Sequence, residues 1–440
     1  MSTEDGSATR EVESYHPLGQ EWEAEMEQLL DKTEYDTELG LQMARDAQRL
    51  VAGDLDEDEF YDRYHDAVIE EFGVDDRPMA DAFETTDSGS VLESVADPDG
   101  EVPRRELLKK LGAGGAFLTL AGWATKENVA GDPGDDTAGA PEASLAAADA
   151  DDGDDVQWGM VIDLDKCDGC LACVVACSQE NHTSAGANWM YVFTYEDEGQ
   201  DGHNFLVRTC QHCTNAPCEK VCPTTARHKR TKDGLVLTDY DVCIGCRYCQ
   251  VACPYGVNYF QWGEPDVPGS ELDPNHVFDD RVRRVDSRPP KGVMGKCTMC
   301  PTRQDGIHGE DKIGTTACAD ACGMDAIHFG NMNDPESDPQ QYLERVREEN
   351  PTDRSDFPDR SGDTVSTFRL LEELGTDPNV VFVGNEPGPN AEQISAEEAR
   401  ERGIPTAVSY EELDAARDDL TIVDERKEVL DEGTLGGDLL

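Results

Sequence analysis

All 16 cysteines of this 440-residue chain lie between Cys167 and Cys322. They form four quartets: Cys167, Cys170, Cys173 and Cys177; Cys210, Cys213, Cys218 and Cys222; Cys243, Cys246, Cys249 and Cys253; Cys297, Cys300, Cys318 and Cys322. The first and third read C-x2-C-x2-C-x3-C, with Pro254 behind the third. The second reads C-x2-C-x4-C-x3-C with Pro223 behind it, and the fourth opens its middle gap to seventeen residues. Three thiolates at the tight spacing let one short loop fold around three irons of a cubane. The fourth cysteine, one helical turn on, points away and serves the other cluster of a pair. Sixteen thiolates divide into four such sites with none left over, so the spacing predicts four [4Fe–4S] clusters.

Two duller readings compete. Structural zinc also takes four cysteines, but as two separated C-x2-C pairs. Only the quartet of Cys297, Cys300, Cys318 and Cys322 looks like that. Disulfides suit an exported chain, yet three cysteines within seven residues make poor bridge geometry.

The net charge, 37 basic against 95 acidic residues, is −58. Such a chain repels nucleic acid and anionic lipid, which excludes both as partners of the bulk surface. Only 37% of the residues are hydrophobic, but 12 Phe, 12 Tyr and 5 Trp argue against wholesale disorder. The acidic residues are spread over every region, a bias that resembles the proteins of extreme halophiles and speaks of environment more than of mechanism.

Residues 1–78 read as a small acidic helical domain. Trp22, Met26, Leu29 and Leu30, then Leu39, Met43, Ala47 and Leu50, keep helical spacing. Gly53 ends the second helix, and Asp56 caps a third carrying Phe60, Tyr64, Val68 and Phe72. The aspartate-rich run at 54–58 lacks the glycine and spaced ligands of a calcium loop. Residues 79–102 form a polar linker. Residues 103–124, Pro103-Arg104-Arg105 through a short glycine-rich apolar run, look like a twin-arginine export signal. The apolar run is too short to span a bilayer. Clusters are built inside the cell, and that route carries folded proteins, so the expectation is an extracytoplasmic location on the membrane. The signal's internal position also admits a basic start to an ordinary helix, with the chain on the cytoplasmic face, or a true start downstream near Met79. Residues 125–155, rich in Gly, Ala, Asp and Pro, read as a disordered linker.

The cluster domain, 156–335, opens with a strand at 159–164 leading into Cys167. A second strand at 234–238 leads into Cys243, and the Lys232-Asp233-Gly234 turn closes a hairpin before it. This is the layout of a two-cluster ferredoxin. Quartets two and three should form one module and quartets one and four the other, wrapped around it, with Asp325–Gly330 as closing strand. The fold expected is α+β: two nested ferredoxin-like dicluster modules behind a small helical domain and a linker. Residues 336–440 read as an acidic extension whose first part packs on the cluster domain.

The runs CDGCLACVVACSQEN, CQHCTNAPCEKVCPTTA, CIGCRYCQVACPYGV and CTMCPTRQDG…ACADACGMDAIHFGN resemble the four-cluster electron-transfer subunit of molybdopterin oxidoreductases. These are the iron–sulfur partners of dimethyl sulfoxide, polysulfide, thiosulfate and tetrathionate reductases and of formate-dependent nitrite reductase systems. The similarity covers about 157–335 and continues at 367–384, which resembles the family's tail packing back on the core. The resemblance implies a crossed ligation. Cys167, Cys170 and Cys173 would share a cluster with Cys322, and Cys297, Cys300 and Cys318 one with Cys177. Cys210, Cys213 and Cys218 would pair with Cys253, and Cys243, Cys246 and Cys249 with Cys222. Respiratory nitrate reductases of this type carry tryptophan where this chain has Cys246, which weakens that subfamily. Gly323 stands where many relatives have proline.

The resemblance also implies two partners: a molybdopterin-binding catalytic subunit and a membrane subunit that exchanges electrons with quinone. Any membrane contact would come through that second partner. No nucleophile–base pair, dinucleotide loop or phosphate cradle is visible, so the chain reads as a non-catalytic electron-transfer subunit. A stand-alone polyferredoxin, the iron–sulfur subunit of a molybdenum-free quinol complex, and a zinc scaffold are the alternatives. Other residues invite roles. His212 could tune a cluster or simply face solvent. Tyr248, Tyr255 and Trp262 read as core packing rather than an electron path. Arg281, Arg283, Arg284, Arg288 and Lys291 could dock a partner or be a solvated loop.

Overall fold

The computed structural model describes residues 19–77, 156–197, 204–272, 277–285, 288–349, 367–384, 386–388 and 391–402. The linker and signal-like residues 79–124 and the run 125–155 lie outside the described residues, as do 403–440.

Helices α1 (Gly19–Leu30), α2 (Thr37–Val51) and α3 (Glu57–Phe72) form the first unit. Asp36 caps α2 by accepting the Leu39 N–H at 2.7 Å, and Asp56 caps α3 by accepting from Asp58. Gly73, at φ +73°, turns the chain out of α3 through the left-handed region that glycine enters without strain. The helical stripes meet: Met26, Leu30, Met43, Ala47, Phe60, Val68 and Phe72 are all buried. Behind α3 the buried Arg77 guanidinium pairs with both carboxylate oxygens of Asp75, at 2.6 Å each.

A four-stranded sheet organises the second unit. Its centre is β1 (Trp158–Asp163), antiparallel to β8 (Ile327–Asn331) and parallel to β10 (Val380–Val383). The edge strand β9 (Thr367–Phe368) pairs with β10, which makes the order β8-β1-β10-β9. Alternation sorts the two faces. Val161, Val381 and Val383 meet Tyr342, Leu343 and Val346 of a covering helix, Asp338–Glu349. Met160, Ile162, Val380 and Phe382 face the opposite way, into the cysteine-rich core. The hairpin of β2 (Met190–Glu196) and β3 (Asn204–Thr209), extended by β11 (Glu392–Gln393), forms a second sheet. Two small pairs complete the strands: β4 (Arg227–Lys229) with β5 (Val236–Thr238), and β6 (Tyr259–Phe260) with β7 (Met294–Gly295).

The helical unit is packed onto the cysteine-rich one through α2. Gly40 of α2 lies so close to the Tyr248 ring that an added Cβ would stand 2.6 Å from it. Phe72 meets the same ring edge-on, centroids 5.4 Å apart. The Asp76 N–H donates to the Pro223 carbonyl at 2.9 Å, and Lys220 pairs with Glu57 at 2.8 Å.

Candidate functional site: four thiol-lined cavities

Each cysteine loop is shaped by left-handed backbone at one recurring place. The residue before the second cysteine has positive φ in all four: Gly169 (+71°), His212 (+43°), Gly245 (+72°) and Met299 (+57°). In the loops that begin at Cys167 and Cys243, the residue after the second cysteine is left-handed too, Leu171 at +60° and Arg247 at +70°. The double reversal curls the loop, so that successive thiols turn inward. At Gly245 no other residue fits, because a Cβ would lie 2.3 Å from the Gly292 carbonyl oxygen.

After each loop comes a helical turn carrying the C-x3-C pair. The helix Ala172–Asn181 holds Cys173 and Cys177, and Ala317–Asp320 leads from Cys318 to Cys322. Pro217–Lys220 leads from Cys218 to Cys222, and Tyr248–Val251 from Cys249 to Cys253. The two cysteines of every such pair line different cavities. Cys167, Cys170, Cys173 and Cys322 line the first. Cys177, Cys297, Cys300 and Cys318 line the second. Cys210, Cys213, Cys218 and Cys253 line the third, and Cys222, Cys243, Cys246 and Cys249 the fourth. Sites 1 and 2 therefore share two helices, and sites 3 and 4 share two others.

The donor set fits iron–sulfur clusters. Every cavity presents four soft sulfur donors and otherwise mostly apolar walls. Among the described residues no three His, Cys, Asp or Glu side chains converge closely enough to hold a single metal ion. Burial pushes the thiols up: Cys167 to about 11, Cys243 and Cys318 to about 12, and Cys173, Cys177, Cys213 and Cys246 well above the ordinary value. At neutral pH the unloaded thiols hold their protons, and loading iron must expel them. Hydrogen bonds then reach several sulfurs. The Arg227 N–H donates to Cys222 Sγ and the Ala326 N–H to Cys322 Sγ, both at 3.3 Å, while the Asn181 amide reaches Cys177 Sγ at 3.5 Å.

Sites 1 and 4 differ in their surroundings. At site 1 Cys170 is exposed and Cys167 and Cys322 are half-buried. Site 4 lies under the helical unit, which grips the loop between its cysteines. Tyr35 donates its hydroxyl to the Ile244 carbonyl at 3.3 Å, Arg247 donates Nη1 to the Leu29 carbonyl at 3.0 Å, and Tyr248 donates its hydroxyl to the Asp36 carbonyl at 2.6 Å.

His212 does not face solvent. It is fully buried, its Nδ1 accepts the Val236 N–H at 3.1 Å, and Nε2 is left to donate to the Cys297 carbonyl at 3.0 Å. Burial and the nearby Lys296 ammonium hold its pKa well below the usual imidazole value, so it acts as a neutral strut between the second and fourth loops. Tyr248 and Tyr255 are buried, but Trp262 is 47% exposed and is not core. It stacks on the Arg247 guanidinium, 3.9 Å from the ring centroid. The members of the basic group at 281–291 differ in their surroundings, and Arg283 is exposed. Arg281 pairs with Asp279, Arg288 is buried and donates to the Val267 carbonyl, and Lys291 lies 3.8 Å from Glu264. Sequence reasoning missed Lys296, whose buried ammonium donates to the Cys297 carbonyl at 2.9 Å. It also missed Arg227, buried beside Cys249. The signal was there, since a cation beside a cysteine loop is conspicuous in so acidic a chain.

Fold and cavities together define a multi-cluster ferredoxin-type electron carrier. Comparison with known proteins agrees. Two profiles described as 4Fe-4S dicluster domains match residues 202–267 and 235–323, and one described as the N-terminal region of 4Fe-4S ferredoxin iron–sulfur binding matches 16–80. A Halobacterium salinarum protein described as the iron–sulfur subunit of a dimethyl sulfoxide reductase is 36% identical, over 53% of this chain and 80% of that one. The menaquinone reductase iron–sulfur cluster-binding subunit of Nitratidesulfovibrio vulgaris is 36% identical over 52% of this chain and 89% of its own. A selenate reductase subunit of Mesobacillus selenatarsenatis is 37% identical over 52% and 72%. The chain belongs to this family of iron–sulfur electron-transfer subunits, and it carries four [4Fe–4S] clusters.

Proposed function

We propose that the sixteen cysteines ligate the four clusters in the crossed pattern by which they line the four cavities, and that electrons pass in series through sites 1, 2, 3 and 4. The observation that carries this is the splitting of every C-x3-C pair between neighbouring cavities. When bound, each cluster takes up and gives back one electron. The chain's part is to hold the sites in line: helices 172–181 and 317–320 tie site 1 to site 2, and helices 217–220 and 248–251 tie site 3 to site 4. The middle step rests on His212, which donates to the Cys297 carbonyl, and on Lys296, which donates to the Val236 carbonyl in the wall of site 3; together they tie the loop of site 2 to site 3. Apolar walls exclude water, and the N–H donors on sulfur set each potential.

The relay runs between a membrane subunit that exchanges electrons with quinone and a molybdopterin catalytic subunit. The names of the relatives support this, being subunits of dimethyl sulfoxide, selenate and arsenate reductases. A second reading has its own support. That reading is a quinol complex without molybdenum, and two relatives named for menaquinone reductase and for an Hdr-like menaquinol oxidoreductase support its quinone chemistry. Elemental analysis of the natively purified complex separates them. About sixteen irons per chain with near one molybdenum or tungsten supports the first reading, and the same iron with neither metal supports the second. Zinc in place of iron would overturn both.

Among the described residues no helix is long and apolar enough to cross a membrane. The side of the membrane is argued from the helical unit. A twin-arginine signal leaves the residues before it in the cytoplasm and carries those after it across. Residues 103–124 stand between the helical unit and the cluster domain along the chain, yet the two units pack together through Gly40, Phe72 and Tyr248. That contact favours a shared compartment, and so the cytoplasmic face over export. The acidic composition fits a salt-rich cytoplasm of the kind a halophile maintains. Protease added to intact cells should then leave the cluster domain whole; its digestion would restore the exported location.

A further inference from the structure

Two arginines of the β4 turn, three residues apart, are equally buried, each 1% exposed, and differ in their company. Arg230 is neutralised: it pairs with Asp233 and, at 2.9 Å, with Asp305. Arg227 has no carboxylate within ion-pairing distance among the described residues, in a chain with 95 acidic side chains. Its Nη2 donates to the Asn258 side-chain oxygen at 2.8 Å and approaches Cys249 Sγ at 3.6 Å. Its Nε and Nη1 are buried with no hydrogen-bond partner among the described residues. A buried cation left so is heavily penalised unless a negative charge lies beside it.

The negative charge available is that of the clusters. Arg227 lines site 4, beside Cys222, Cys243, Cys246 and Cys249. Its partner Asn258 lines site 3 and fixes the Cys249 carbonyl through its amide at 3.1 Å. The Arg227 backbone N–H also donates to Cys222 Sγ at 3.3 Å, so the residue stands against site 4 directly and against site 3 through Asn258. We propose that Arg227 is a fixed positive charge set between sites 3 and 4, its unpartnered Nε and Nη1 facing cluster sulfur, and that it raises the reduction potentials of these two clusters above what the thiolate cages alone would give. A cluster held by four thiolates is anionic and becomes more so on reduction, so a neighbouring cation favours the reduced form. The effect is larger at site 4, where the guanidinium touches Cys249. Arg227 is a positioning and tuning residue: it takes no electron itself.

This inference rests on the ligand assignment proposed above, and its test reads the two separately. The full chain with its clusters is prepared with Arg227 intact, with Arg227→Met and with Arg227→Lys; iron is counted, and each cluster is titrated by electron paramagnetic resonance at controlled potentials. Arg227→Met should keep all the iron and lower two of the four potentials. At a fixed poise the reduced-to-oxidised ratio of the more affected cluster should fall about tenfold, about 59 mV for a one-electron couple. Arg227→Lys, which keeps the charge, should restore most of that shift. Four unmoved potentials, four that move together, or a lysine variant that behaves like methionine would each overturn the proposal. Should Arg227→Met lose iron, Arg227→Gln is compared with Arg227→Lys on the same criterion. Fewer than four clusters in the unaltered chain would instead count against the ligand assignment.

Discussion

At the scale of single residues, the cysteines carry two separable jobs, and substitution can tell them apart. Cys177 sits four residues after Cys173, yet it lines the cavity of Cys297, Cys300 and Cys318. Cys177→Ala should therefore erase the same resonance as Cys297→Ala, and leave untouched the one that Cys167→Ala removes. Loss of the Cys167-dependent signal in Cys177→Ala would show that sequence neighbours share a cluster. The glycines make a second test. Gly245 is left-handed and its missing Cβ faces the Gly292 carbonyl. Gly245→Ala combines strain of about 1–3 kcal/mol with a backbone clash. Site 4 should load poorly, read as about four irons lost per chain, with the other three sites filled.

Among elements, the packing of α2 on the Tyr248 loop sets a balance that one methyl group can tip. A glycine inside a helix costs about 1 kcal/mol relative to alanine, and Gly40 is kept at that cost because the Tyr248 ring occupies the space beside it. Gly40→Ala should make α2 a better helix and the docked unit a worse fit. The expected outcome is faster proteolysis of residues 19–77 in the full chain and quicker bleaching by oxidant of one cluster in four. An unchanged protease pattern would mean that α2 does not hold the unit in place. Phe72→Ala, a deep truncation at the same contact, should weaken the chain by about 3–5 kcal/mol, measured by denaturant unfolding. The helices themselves were legible in the sequence, since Met26, Met43, Phe60 and Phe72 keep the helical period and Asp56 sits at a cap, whereas the Asp36 cap was not read. Their docking was not. Its hydrogen bonds run from Tyr35, Arg247 and Tyr248 to backbone carbonyls, and a carbonyl has no letter in a sequence. The β2–β3 hairpin is a different case. Its runs Met190–Glu196 and Asn204–Thr209, rich in β-branched and aromatic residues, carried a readable strand signal that the cysteine spacing overshadowed. Trp262 misled for a third reason: exposure of an aromatic depends on the cation stacked on it, here Arg247, fifteen positions away.

For the whole molecule, charge decides the conditions under which these parts stay together. Residues 19–77 carry twenty acidic and five basic side chains, and the chain as a whole stands at −58. The strongly acidic helical unit is thus pressed against a cluster domain that is itself net negative, with 25 acidic and 16 basic side chains over 156–335, and Lys220–Glu57 is an ion pair across the contact. Exposed pairs of this kind contribute under about 1 kcal/mol, too little to offset the repulsion. Burial would raise the Glu57 carboxyl, but the Lys220 hydrogen bond and charge outweigh it and hold Glu57 below its ordinary value. The pair's contribution is therefore present above the unfolded carboxylate range and fades as pH falls through the lowered value. Salt has the larger effect. The screening length shrinks from about 10 Å at 0.1 M to about 3 Å at 1 M, which removes the repulsion between the units while leaving the apolar contact of Phe72, Gly40 and Tyr248 in force. Raising potassium chloride from about 0.1 to about 2 M should accordingly protect residues 19–77 from protease and raise the temperature at which they detach, more than it raises that of the cluster domain. If instead both units gain equally, the salt acts on general solvation, and the acidic surface plays no part in holding the helical unit over site 4.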